Sequence, residues 1–133
     1  MRVPMRLAAL AAAALTAASA LATSALAHQT VTDHGVAVTM HVLPDDEPQA
    51  GKAATIVIVK VKPSSGRFTF RDCACRVKVT AASGAVLLHR RTAKRTPFVF
   101  PDPAAYEITY SGGYRSRGGK SKRFSTTFAI RAS

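Results

Sequence analysis

The side chains of this chain best suited to holding a metal ion are three early histidines, His28, His34 and His41, and one close pair of cysteines, Cys73 and Cys75. His28 follows directly on Ala25-Leu26-Ala27, a small-x-small sequence that closes an Ala/Leu-rich stretch preceded by Arg2 and Arg6. That is the layout of an export signal with its cleavage site. Cutting after Ala27 makes His28 the first residue of the mature chain, so that one residue supplies both an α-amine and an imidazole nitrogen, a ligand set that suits Cu(II). Ala18-Ser19-Ala20 matches the same cleavage pattern, and cutting there leaves His28 internal.

Two residues compete as partners for His28. His34 stands close enough in sequence for a flexible lead to fold back and bring both imidazoles to one ion, with Asp33 placed to orient a ring as a hydrogen-bond acceptor. His41 falls in an alternating segment, on the face opposite Val38 and Met40, and is expected to point to solvent. The fourth histidine, His89, alternates with Leu88 and reads as structural or exposed.

Cys73-Ala74-Cys75 offers a second chemistry. If these residues are extended, both side chains share a face and their Cα atoms lie about 6.6 Å apart. A disulfide at that separation needs a local bend and is expected to reduce easily. The reduced pair presents two soft thiolates, which suits Cu(I) better than structural zinc, since zinc wants four ligands. A bent structural disulfide or two packed thiols are the alternatives.

The elements that must position these groups are strands. Val36, Val38, Met40 and Val42 share one face of an alternating segment, and Ala53 to Val61 is a nearly continuous β-branched run beyond the turn-forming stretch from Pro44 to Gly51. Period-two patterns recur in Arg67 to Arg71, Cys75 to Thr80, Val86 to Arg90, Thr96 to Phe100, Tyr106 to Tyr110 and Phe124 to Ile130. No helical period follows the signal. The pattern predicts an all-β protein, an immunoglobulin-like antiparallel β-sandwich of about seven strands, preceded by the signal peptide at 1–27 and filling residues 28–133 as a single domain. The Tyr106-x-x-x-Tyr110 strand resembles the penultimate strand of such folds, although the chain lacks the tryptophan and the inter-sheet cysteine pair of a true immunoglobulin domain.

A formal charge of +12, of which Arg2 and Arg6 in the signal supply two, favours contact with anionic surfaces. Export argues against nucleic acid as the partner. The basic residues cluster as Arg90, Arg91, Lys94 and Arg95, and again as Arg115, Arg117, Lys120, Lys122 and Arg123 in a glycine-rich segment. The second cluster lacks the phosphate-cradle spacing leading into a helix and reads as a solvated hairpin tip able to meet an anionic envelope component or a periplasmic partner protein. No Ser-centred elbow, HExxH or acid-base pair of carboxylates is present, so no enzyme is expected.

Taken with the export signal and the early His28, the segment from Val42 to Val59 and the late Pro103 to Tyr110 resemble the YtkA-like and CopC-like group of small periplasmic β-sandwich proteins that handle copper. The resemblance implies a Cu(II) site at His28 with His34 or His41. Such proteins often use methionine clusters for Cu(I), whereas here Met40 alone remains after cleavage and Cys73 with Cys75 would have to replace them. The expectation is a periplasmic or secreted copper-binding protein of metal trafficking or resistance, with no transmembrane span once the signal is removed. The alternatives are an accessory module that docks its basic face without any metal, and a copper monooxygenase with a histidine brace.

Overall fold

On the segment that follows Gly35, alternate side chains are sealed from solvent: Val36, Val38, Met40 and Val42 are at most 1% exposed. In the computed structural model, which describes residues 28–133, this segment is the second of eight strands. They are β1 (Gln29–Asp33), β2 (Val36–Leu43), β3 (Ala53–Pro63), β4 (Arg76–Ala81), β5 (Val86–Arg91), β6 (Arg95–Val99), β7 (Ala105–Arg115) and β8 (Ser121–Arg131). The expected signal peptide at 1–27 lies outside the described residues.

Two four-stranded sheets form, ordered β1-β2-β3-β6 and β5-β4-β7-β8, and every neighbouring pair is antiparallel. Their inner faces share one apolar core, built from Met40, Ile56 and Ile58 on the first sheet and Val77, Ile108, Tyr110, Phe128 and Ile130 on the second. Each large side chain so enclosed stabilises the fold by about 1.5–3 kcal/mol relative to leaving it exposed. Among the described residues there is no helix, and so none long and apolar enough to cross a membrane.

The chain passes from one sheet to the other at the β3–β4, β5–β6 and β6–β7 connections. Tyr106 pins the last of these: its hydroxyl accepts a hydrogen bond from the Asp102 N–H at 3.0 Å and donates one to the Asp102 carbonyl at 2.7 Å. Tyr110, two repeats of the alternation further, donates its hydroxyl proton to the carbonyl of Ala93. Burial pushes the Tyr110 hydroxyl well above the ordinary tyrosine range, so it remains a donor at any physiological pH.

The polar lead after residue 27 is not a free arm, because it forms β1 and hairpins onto β2. His34 and Gly35 both take positive φ, 47° and 77°, the combination a two-residue hairpin turn with the right twist demands. Conversely, Arg67 to Arg71 is not a strand. It makes a single bridge, Arg67 to Arg115, because Gly66 brings its backbone against the Arg115 main chain and Thr69 and Asp72 then close a turn. Phe68 still reaches the core edge, its ring packing edge-on against Phe70 and Phe124 at centroid distances of 5.1 and 5.8 Å. The described residues form eight strands, where about seven were expected.

Candidate metal centre

β1 and β2 pair in strict register, from Asp33 opposite Val36 back to Gln29 opposite Met40. One step further along the same register lies His28 opposite His41. Their rings meet there, with centroids 3.8 Å apart and planes tilted by 31°. Because Val36, Val38, Met40 and Val42 take the inner face of β2, His41 is forced onto the outer one, where it is half-buried.

Asp46 completes the group. Its backbone adopts a left-handed φ of 61°, held by the Asp46 N–H donating to the Val42 carbonyl at 2.8 Å. In return the Val42 N–H donates to Asp46 Oδ1 at 2.9 Å. This exchange turns the carboxylate back over the strand, where Oδ2 lies 2.9 Å and Oδ1 3.2 Å from His41 Nδ1. An ionised carboxylate only accepts, so Nδ1 carries the ring proton and the lone pair of His41 sits on Nε2. Burial pushes the Asp46 carboxyl upward, but the hydrogen bonds from His41 and the Val42 N–H, together with the positive charge of the His41 and His28 rings when protonated, outweigh it. The net effect holds the group below its ordinary 3.8 and keeps it ionised.

One ligand atom from each of His28, His41 and Asp46 lies within 4.8 Å of the others. The expected alternative of His28 with His34 is overturned by the hairpin. His34 occupies the turn at the opposite end of β1, roughly 20 Å from His28 at about 3.3 Å per strand residue. Its side chain is 90% exposed and its Nδ1 lies 2.7 Å from Asp33 Oδ1. Asp33 therefore does hold an imidazole, but that of His34. Asp46 went unrecognised in the sequence; the signal that could have found it is an aspartate a few residues beyond a strand-borne histidine, spaced to fold back on it.

Cys73 and Cys75 stand apart from this group, in the connection between β3 and β4. They are bonded to each other and buried, with Cα atoms 5.0 Å apart instead of the extended separation. The necessary bend is at Ala74, where φ is 47°. In the bonded form neither sulfur is a thiolate, so the expected Cu(I) pair has no ligands to offer there. The backbone around the bridge is tied down on both sides: the Gly113 N–H donates to the Cys73 carbonyl at 2.8 Å and the Thr92 N–H to that of Cys75 at 2.9 Å.

The second basic cluster is split by the fold. Arg115, Lys122 and Arg123 line a cleft of about 580 Å³ beside the disulfide, together with Arg67, Arg71 and Arg91, which the sequence did not associate with them. Arg117 and Lys120 lie in the β7–β8 turn, exposed and outside that lining. Set against known proteins, the chain matches no protein-family model, no curated protein and no solved structure.

Proposed function

We propose that this is an exported, non-enzymatic metal-binding protein on an immunoglobulin-like β-sandwich. More particularly, its cargo is copper, held at His28 and His41 for trafficking or resistance in the periplasm or outside the cell. The sandwich label is supported by the two antiparallel sheets and by Tyr106, whose hydroxyl reaches back to Asp102 as the tyrosine corner of such folds does at the start of their penultimate strand.

The observation that carries the copper reading is the pairing of the His28 and His41 rings across the hairpin, with His41 fixed by Asp46. The donor set fits: two imidazoles suit late first-row divalent ions, and copper heads that series in affinity. Export with cleavage after Ala27 adds the α-amine of His28 as a third nitrogen. Asp46 acts as the acceptor that fixes the tautomer of His41, leaving Nε2 for the ion.

Titration of Cu(II) into protein that begins at His28 tests this. The expected result is one saturable site, weakened strongly by a single added residue ahead of His28 or by His41→Ala and unaffected by His34→Ala. Equal affinity for the native and extended chains would remove the amine from the site, and no saturable binding by either would sink the copper reading. The second reading, a metal-free module that docks its basic face on an anionic envelope component or a partner protein, is favoured by the arginine-lined cleft.

A further inference from the structure

We propose that the cleft between the Arg67–Asp72 segment and the β7–β8 hairpin binds an anion carrying more than one phosphoryl group. Six cationic side chains line it, Arg67, Arg71, Arg91, Arg115, Lys122 and Arg123. Asp72 is the one carboxylate among the lining residues, and it already accepts a hydrogen bond from Thr69 Oγ1 at 3.0 Å. Among the described residues no carboxylate comes within ion-pairing distance of any of the six.

The backbone holds these charges together against their repulsion. Arg67 and Arg115 face each other in a reciprocal pair, the Arg67 N–H donating to the Arg115 carbonyl at 2.8 Å and the Arg115 N–H to that of Arg67 at 2.9 Å. Like charges directly opposite across strands are destabilising. Arg123 lies opposite Gly113 in the β7–β8 register, and Gly113 is bonded in turn to Cys73, so the wall is anchored through the disulfide loop. A site in which repulsion is built in and rigidly supported is relieved by an anion from solution.

The chemistry of that anion follows from the lining. Five of the six cations are guanidinium groups, whose planar forks match the oxygens of phosphoryl groups two at a time. A single carboxylate offsets one charge of the local excess, whereas a phosphoryl group brings ≈ −1.5 to −2 and three acceptor oxygens. The cleft, at about 580 Å³, falls in the range of small-molecule sites and is far larger than one phosphate. The phosphoryl groups could belong to a free oligophosphate or to lipid headgroups. This inference is independent of the histidine site, which lies on the other sheet.

Calorimetric titration of sodium tripolyphosphate into metal-free protein at about 0.15 M salt, where exposed charges more than about 8 Å apart are largely screened, tests it. The expected result is one saturable site, weakened at least about tenfold in Arg67→Gln and in Arg91→Gln, and changed less than about twofold in Arg131→Gln, which removes an exposed charge outside the cleft. A second arm uses vesicles of phosphatidylglycerol. Vesicle binding that tripolyphosphate competes away assigns the groups to lipid, and tripolyphosphate binding without vesicle binding assigns them to a soluble anion. The proposal is overturned if neither probe binds saturably, if Arg131→Gln costs as much as the cleft variants, or if citrate, with its three carboxylates, binds as tightly as tripolyphosphate.

Discussion

Gly112 on β7 lies directly beneath Cys75. A methyl group at its α-carbon would overlap the Cys75 sulfur and come within 3.1 Å of the Cys73 carbonyl oxygen. The sulfur cannot swing aside, because it is bonded to Cys73. Gly112→Ala is therefore expected to cost about 1–3 kcal/mol or more as an overpacked core site, whereas Gly118→Ala, with nothing among the described residues within 4 Å, should be close to neutral. Urea denaturation midpoints of the two variants check the contrast, and equal stabilities would mean that the bridge does not rest on β7 as described.

The cysteines should be unreactive as isolated. With both sulfurs bonded and buried, a maleimide is expected to label neither residue in folded protein without reductant and both after reduction in denaturant. The Cys73→Ser, Cys75→Ser variant gives up little loop entropy but places two hydroxyls where the sulfurs were sealed from water. Each hydroxyl left without a partner there costs about 1–3 kcal/mol. Mass spectrometry after labelling and a thermal melt of the double variant test the two halves of this prediction.

Thr126 offers the opposite sign. Its hydroxyl is fully buried on β8, opposite Tyr110, and has no hydrogen-bond partner among the described residues. Valine has nearly the same shape without the polar atom. Thr126→Val is expected to raise stability by about 1 kcal/mol, read as a higher denaturation midpoint at unchanged slope. A loss of stability would show that the hydroxyl is satisfied.

Asp46→Asn separates the two roles of that carboxylate. On the copper reading, loss of the charged acceptor beside His41 Nδ1 should weaken Cu(II) binding by about 10–100-fold, since outer partners of ligating histidines are usually worth that much. Metal affinity of the parent should also fall on acidification, as protons compete for the nitrogens. Both effects are read from competition titrations against a chelator of known affinity.

The pH dependence of stability follows from the depressed ionisation of Asp46. A carboxyl whose folded pKa lies below its unfolded value stabilises the fold fully above the unfolded value and loses that contribution as pH falls through the folded one. The stability gap between parent and Asp46→Asn should thus be constant near neutrality and shrink as pH drops below about 3.8. A gap that persists at lower pH would mean that the asparagine disturbs the Val42 contacts rather than the charge.

What the sequence determined by itself is the part governed by local alternation. Val36 to Val42, Val77 and Val79, and Tyr106 to Tyr110 announce their inner faces, because a strand's side chains switch sides at every residue whatever lies around it. The all-β class followed from that period. Tertiary structure decided which chemistry meets which. Thr30 to Asp33 carry no apolar alternation, so β1 exists by pairing with β2 through the His34-Gly35 turn, and only that register sends His34 to one end and sets His28 beside His41. Arg67 and Arg91 join Arg115 and Arg123 for the same reason: positions far apart in the chain meet where the β3–β4 connection crosses between sheets, and no local spacing encodes that meeting.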